Sequence, residues 1–244
     1  MSSSHLILFD IYTLIPKENS NIDLFEGVER IENIIRSLIE LSKKKFGIGI
    51  VSENNINIIY DHLSEDILNK CDYIFSENGI RTYEHNLLIH KDSIVDYLGK
   101  DILMEIINNT NDMICNSWVS FIDQQIILKA EQIEIHFRLF NITDQKNSIV
   151  DHLETLLFRL KINLDKHNVD CFIKDNIIVI RPIIWDSNYC FSVIDNQLEY
   201  DEITIFRNNS VKDQSSNLPN HIDEILVEEN GDLGDIIRQK FLQS

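Results

Sequence analysis

Apolar runs alternate with helical repeats along the first eighty residues of the chain. Three short apolar runs predict buried strands, and apolar side chains at helical spacing predict the segments between them. The predicted strands are 5–9, 46–51 and 73–75, and the predicted helices are 26–45 and 56–63. Strands that alternate with helices are typical of a parallel sheet with right-handed crossovers.

The predicted strands also indicate where a ligand would bind. Asp10 follows the first strand directly, and the polar loop 52–55 (SENN) follows the second. Ligands of open parallel sheets bind beyond the carboxyl ends of the strands. We therefore expect a functional site at the edge that Asp10 and this loop share.

The middle of the chain has a different pattern. It predicts helices at 93–109 and 147–165, a hairpin around Asp123-Gln124-Gln125, and strand between 173 and 184 with a turn at Asp175-Asn176. A further strand at 200–206 returns to the pattern of the first domain. These features predict an α/β fold with an inserted α+β module. We place the first domain at 1–85 and 186–244, and the insertion at 86–185.

The net charge of the chain restricts the kinds of partner that it can bind. The chain has 22 basic and 40 acidic residues and a formal net charge of −18. Such a surface repels phosphate backbones and anionic lipid, so we expect no nucleic-acid partner and no membrane partner. No apolar run approaches 18 residues, which favours a soluble, cytoplasmic protein.

The four cysteines, at 71, 115, 171 and 190, lack the short spacings of a zinc cluster. We expect reduced and mostly buried thiols.

Four stretches resemble one family. They are 6–16 (LILFDIYTLIP), 71–90 (with Glu77-Asn78-Gly79), 185–190 (WDSNYC) and 200–225. Together they resemble the eukaryotic phosphomannomutases, members of the haloacid dehalogenase superfamily, and they span essentially the whole chain. The resemblance implies a haloacid dehalogenase-like parallel-sheet core with an inserted α+β cap domain.

The resemblance also implies a chemistry. In this family an Asp at the end of the first strand attacks a phosphoryl group, and a second Asp two residues later acts as acid and base. Mg²⁺ held by carboxylates, glycine-rich loops and a Lys bind the phosphoryl group, and cap arginines bind the distal phosphate.

The matching positions of this chain depart from that pattern. Asp10 stands at the nucleophile position, although a plain loop-capping role is the alternative reading of it. Tyr12 replaces the acid/base Asp, and SENN, with Ser52 and Glu53, replaces the family's GGSD loop. The family's FGDKT reads FRNNS at 206–210, so Asn208 and Asn209 replace the metal Asp and the Lys.

Three arginines remain as candidate anion contacts. Arg138 and Arg181 lie in the predicted cap, where surface salt bridges are the alternative role, and Arg207 could partly replace the missing Lys.

These departures favour a pseudoenzyme, a phosphomannomutase-like protein that acts as a binding or structural subunit. One alternative is a divergent but active phosphomannomutase that converts mannose 6-phosphate to mannose 1-phosphate with Asp10 as nucleophile. A second alternative is a sugar-phosphate sensor. We expect no cofactor, or Mg²⁺ if the enzyme is active.

Family members of this type pair through their caps, which implies a homodimer or another protein partner at the cap. The apolar stretches 177–180 and 183–184 of the cap support this expectation.

Overall fold

The structure is a computed structural model that describes residues 4–14, 24–115, 122–139, 146–174, 177–186, 188–208, 218–228 and 233–242. Its contacts divide the chain into two units. The first comprises Met1–Lys91 and Asp186–Ser244, and the second comprises Asp92–Trp185. The first division therefore falls at 91/92, whereas the sequence pattern places it at 85/86.

The chain passes through unit one twice, before and after unit two. The first part of unit one contains β1 (His5–Asp10), α1 (Ile11–Leu14), α2 (Leu24–Lys43), β2 (Gly47–Val51), α3 (Ile56–His62), α4 (Glu65–Leu68), β3 (Tyr73–Ser76), β4 (Arg81–Glu84) and β5 (Leu87–Lys91). Unit two contains α5 (Ile94–Leu98), α6 (Lys100–Cys115), β6 (Ile122–Leu128), β7 (Ile133–Leu139), α7 (Lys146–Leu164), β8 (Val169–Lys174) and β9 (Ile177–Pro182). The chain then returns to unit one with α8 (Tyr189–Gln197), β10 (Glu202–Asn208), β11 (Ile222–Val227) and α9 (Leu233–Ile237).

The described strands of unit one form a seven-stranded sheet in the order β11-β10-β1-β2-β3-β4-β5. The five strands from β11 to β3 are parallel. Residues 6–9 of the central strand β1 are completely buried, because helices cover both faces of a parallel sheet and each face needs apolar side chains. The predicted α/β fold class is confirmed.

The antiparallel hairpin β4–β5 completes the sheet and was not predicted. Its two-residue turn is His85-Asn86, and both residues have positive φ, 45° and 66°. Asn tolerates this backbone, but the usual glycine signal of such a turn is missing. The hairpin extends unit one to Lys91.

Unit two has a separate four-stranded antiparallel sheet in the order β6-β7-β9-β8. The predicted hairpin around Asp123-Gln124-Gln125 is wrong: these residues lie inside β6, and the turn follows at 129–132. The ladder between β6 and β7 runs without interruption from the Ile122–Leu139 pair to the Leu128–Ile133 pair, so strand pairing overrides the turn preference of the polar triplet. The predicted turn residues Asp175-Asn176 lie outside the described residues.

Helices in unit two follow the predicted segments with one difference. The stretch predicted as one helix at 93–109 is two helices, α5 and α6, separated by Gly99 with φ +80°. With φ +80° and ψ 152°, Gly99 lies far from helical backbone and so interrupts the helical run. In the described part of the chain, we find no helix with the length and hydropathy needed to cross a membrane.

Candidate functional site

Four segments meet at the carboxyl edge of the seven-stranded sheet. β1 ends at Asp10, β2 runs into the loop 52–55, β3 runs into the turn 77–79, and β10 ends with Arg207 and Asn208. These strands are parallel, and β10, β1, β2 and β3 are neighbours in that order. Their ends therefore lie side by side, at the edge that the sequence pattern indicated.

Asp10 is largely buried at the end of β1. Its Oδ1 accepts the Tyr12 N–H at 2.9 Å, and its main-chain oxygen accepts the Thr13 hydroxyl at 2.7 Å. Burial raises the pKa of Asp10 from the ordinary 3.8 to about 6. The hydrogen bond from the Tyr12 N–H and the positive charge of Arg207 act in the opposite direction and lower the pKa. The negative charge of Glu53 adds to the rise. Asp10 is thus a carboxylate that is costly to ionise.

Tyr12, in α1, connects the end of β1 to the loop after β2. Its phenol hydroxyl donates to Glu53 Oε1 at 3.4 Å and accepts from Asn54 Nδ2 at 3.3 Å. The side chain is 39% exposed. The position two residues after Asp10 is therefore occupied by an aromatic ring that bridges to the next loop.

Side chains of the loop after β2 accept hydrogen bonds from backbone amides of the loop and of α3. Ser52 Oγ accepts the Asn54 N–H at 3.0 Å. Asn55 caps α3, and its Oδ1 accepts the N–H groups of Asn57 and Ile58 at 3.0 and 3.2 Å. Backbone N–H groups of this kind bind phosphate where a loop leaves them open. Here three of them already have acceptors within the chain.

The turn after β3 holds this loop from the other side. The N–H groups of Glu77 and Asn78 donate to the Asn54 and Ser52 carbonyls at 3.0 and 2.8 Å. Glu77, Asn78 and Gly79 all have positive φ, 53°, 58° and 97°. A left-handed backbone at two consecutive residues other than glycine is strained, and the two hydrogen bonds to the loop hold it in place.

Arg207 is buried at the end of β10, with 6% of its surface exposed. Its Nη1 donates to Glu224 Oε1 on β11 and its Nη2 donates to Asn188 Oδ1, each at 2.9 Å. The guanidinium carbon lies 5.8 Å from the centroid of the Phe191 ring on α8. The anion that Arg207 contacts here is a carboxylate of the chain itself.

Asn208 follows Arg207 and is also buried. It places an amide, not a carboxylate, beside the end of β1. Asn209, its neighbour in the predicted set, lies outside the described residues.

The sequence of the chain is similar to known proteins. The family model described as eukaryotic phosphomannomutase matches residues 35–143. Human phosphomannomutase 1 is 24% identical over 205 residues, which cover 74% of this chain and 72% of the human protein. The chain is similar in sequence to the eukaryotic phosphomannomutases. Phosphomannomutase 2 of Dictyostelium discoideum is 35% identical over 78 residues, and this match spans 32% of the chain and 31% of that relative's length.

Solved structures agree on the haloacid dehalogenase fold. A haloacid dehalogenase-like hydrolase from Bacteroides thetaiotaomicron superposes with a TM-score of 0.56 at 12% identity, covering 98% of this chain and 100% of that one. Trehalose-6-phosphate phosphatase from Aspergillus fumigatus gives a TM-score of 0.57, also at 12% identity, and covers 92% of this chain and 83% of its own. At this identity the likeness concerns the fold.

The phosphomannomutase resemblance implies Mg²⁺ at the carboxyl edge, and the residues there do not fit it. Mg²⁺ prefers an octahedral set of oxygen ligands anchored by carboxylates. Here the end of β10 supplies the Asn208 amide, and the buried Arg207 guanidinium puts a positive charge beside Asp10. Across the described ranges, no group of three or more His, Cys, Asp or Glu side chains is arranged to hold a metal ion.

The two predicted cap arginines lie in unit two. Arg181 is on β9, opposite Asp170 of β8, and its guanidinium carbon lies 4.8 Å from the centroid of the Phe172 ring. Arg138 is on β7, and its side chain lies outside the described residues. Anion binding by these arginines stays a prediction.

Sequence reasoning missed the two partners of Arg207. Glu224 and Asn188 lie 17 and 19 residues away from it along the chain. A signal was present: Arg207 stands where the resembled FGDKT motif has glycine. A long cation at the position of a glycine inside a sheet needs a buried acceptor nearby.

Proposed function

We propose that this chain is a catalytically silent phosphomannomutase-like protein that acts as a binding or structural subunit. The observation that carries the proposal is Tyr12. It occupies the position two residues after Asp10, where the family's chemistry needs a carboxylate acid and base, and its hydroxyl is bonded to Glu53 and Asn54. A phenol has an ordinary pKa near 10 and is a poor base at neutral pH.

The neighbouring loops support the same conclusion. Three amide donors of the 52–58 segment, those of Asn54, Asn57 and Ile58, have acceptors within the chain, and Glu53 adds a negative charge close to Asp10. Glu53 thus brings a second carboxylate to a place where a phosphoryl group needs donors and cations.

The size of the expected rate loss favours an inactive protein over a slow enzyme. Removal of one preorganised group that stabilises the transition state costs about 10²–10³-fold in rate. Here the acid/base group, the metal carboxylate and the phosphate-loop donors are altered together. Their effects are not additive, but little activity would remain after all three changes.

The test is an assay of the purified chain with mannose and glucose phosphates and Mg²⁺, beside an active phosphomannomutase. We expect turnover no higher than that of Asp10→Asn. Tyr12→Asp should not restore activity, because Asn208 and the 52–55 loop are unchanged. Wild-type turnover that Asp10→Asn abolishes would overturn the proposal and favour the divergent-enzyme alternative.

The retained Asp10 is the observation that favours this alternative, since it keeps the nucleophile position at the end of β1.

Thermal unfolding with mannose 6-phosphate distinguishes the sugar-phosphate sensor from a binding subunit that has no such ligand. We expect no shift of Tm with the sugar phosphate, and a saturable rise without turnover would instead support a sensor.

We propose that the binding surface lies on the cap, unit two. Phe158 and Ile162 are each 65% exposed and lie four residues apart on α7, hence on one face of that helix. Ile183 and Ile184 are also about half exposed. In contrast, residues 178–180 are buried in the cap sheet, so that part of the expected apolar surface is core. Exposed apolar groups of this size support a homodimer or another protein partner at the cap.

A further inference from the structure

The most unusual group at the carboxyl edge is a buried positive charge. Arg207 is 6% exposed and lies on β10, which is flanked on both sides by parallel strands. A buried guanidinium is tolerated only when it is paired and hydrogen-bonded, because removing a charge from water costs several kcal/mol. The partners of Arg207 therefore indicate what it does.

Three elements hold the guanidinium. Glu224 on β11 accepts one hydrogen bond with a carboxylate whose side chain is 14% exposed, and Asn188 before α8 accepts another. Phe191 on α8 presents its ring to the guanidinium. Since the donors point to different elements, the cation is fixed in one position.

The strand register brings this cation beside Asp10. Phe9 of β1 pairs with Phe206 of β10, and their rings stack with centroids 5.1 Å apart. The next residues on the two strands are Asp10 and Arg207. Side chains alternate along a strand, so both belong to the opposite face from the phenylalanine rings. Arg207 acts electrostatically on Asp10 from there and favours its ionised form.

We propose that Arg207 is the resident cation of this site. Its guanidinium, held by Glu224 and Asn188, lies beside the Asp10 carboxylate and offsets part of its charge, where the family's chemistry uses a metal ion. The site consequently takes no Mg²⁺, and the fold is independent of divalent cations. The proposal goes beyond the loss of catalysis, since it concerns charge balance and metal binding in the resting protein.

A double-mutant cycle of Asp10→Asn and Arg207→Met, read by thermal unfolding, tests the charge balance. Arg207→Met should lower Tm by on the order of 10 °C, because Glu224 and Asp10 lose their cation. Asp10→Asn should then raise Tm more in the Arg207→Met background than in the wild type. Equal effects in both backgrounds would overturn the proposal, because Arg207 would then balance Glu224 alone.

Two further variants serve as a control and as an alternative background for the cycle. Arg36→Met, an exposed arginine on α2, is the matched control and should leave Tm within about 1 °C of the wild type. If Arg207→Met does not fold, Arg207→Met with Glu224→Gln removes both buried charges, and the Asp10→Asn comparison is made in that background.

Calorimetric titration with MgCl₂ and thermal unfolding in millimolar Mg²⁺ test the metal. For the wild type we expect no saturable heat and a change of Tm below about 1 °C. Binding that Asp10→Asn abolishes would overturn the proposal. A chain that binds Mg²⁺ without turnover would refute the resident cation and leave the proposed function intact, whereas turnover with no Mg²⁺ binding would do the reverse.

Discussion

At the scale of single residues, Asp10 lowers the stability of the fold at neutral pH. Burial raises its pKa to about 6 in the folded chain, whereas an unfolded Asp has a pKa near 3.9. The folded state thus holds this proton more tightly than the unfolded state. The stability from this tighter binding is fully present below about pH 4, and it is lost as the pH rises through 6.

Asp10→Asn should therefore stabilise the protein at pH 7, by about 1–2 kcal/mol, since the amide keeps the acceptor for the Tyr12 N–H and removes the costly ionisation. The gain should vanish at pH 4. Urea unfolding at the two pH values measures it.

Asp112→Asn, an exposed aspartate on α6, is the matched control and should change the free energy of unfolding by less than about 0.5 kcal/mol at either pH. An Asp10→Asn protein less stable than the wild type at pH 7 would contradict the assignment of a raised pKa.

At the scale of elements, Gly79 fixes the turn after β3 against α8. A Cβ at this position would lie 2.7 Å from the Cys190 Cα, and the backbone has φ +97°. Both the close approach and the left-handed backbone require glycine.

Gly79→Ala should destabilise the protein by about 3 kcal/mol or more, because a backbone must move to admit the methyl group. Gly99→Ala is the matched control: its φ is +80°, yet nothing lies within 4 Å of the added Cβ. It should cost only the backbone strain, about 1–3 kcal/mol, because φ +80° with ψ 152° is a conformation that residues other than glycine rarely adopt, and the loss should be smaller than that of Gly79→Ala. Equal losses in the two variants, measured by urea unfolding, would show that the Cys190 contact is unimportant.

Local patterns were sufficient for most elements but not for every connection. Buried strands such as β1 and amphipathic helices such as α2 have a periodicity that one segment specifies by itself. The β4–β5 hairpin was missed because His85-Asn86 makes its turn without glycine. The division between α5 and α6 was missed because a single Gly99 interrupts an otherwise helical stretch.

The candidate site was predictable in position but not in its contacts. Asp10 could be placed because it ends an apolar run, and strand ends gather at one edge of a parallel sheet. The Arg207–Glu224 pair depends on β10 and β11 lying next to each other in parallel. No local pattern specifies that pairing, so the pair required the structure.

At the scale of the whole molecule, the chain leaves the first unit after Lys91 and returns to it at Asp186. An inserted unit can present a binding surface without altering the sheet that carries Asp10. Phe158 and Ile162 of α7 are an exposed apolar pair on that unit.

We expect the purified chain to be a dimer by light scattering at micromolar concentration, or to associate with a co-expressed partner. Phe158→Ser with Ile162→Ser should shift it toward the monomer, because the apolar area buried in the contact is lost. Arg159→Ser, an exposed neighbour on the same helix, is the control. A strict monomer that binds no partner would contradict association through the cap.

The buried pair of Arg207 and Glu224 also limits how this sequence can evolve. A mutation that removes either partner alone strands the other charge in the interior, at a cost of about 3–5 kcal/mol, a large share of a typical domain's stability. A lineage carrying this pair could gain a carboxylate metal site only by changing both residues together or by first acquiring compensating stability. Single mutations at Arg207 or Glu224 are therefore selected against, and the salt bridge tends to persist once it has formed.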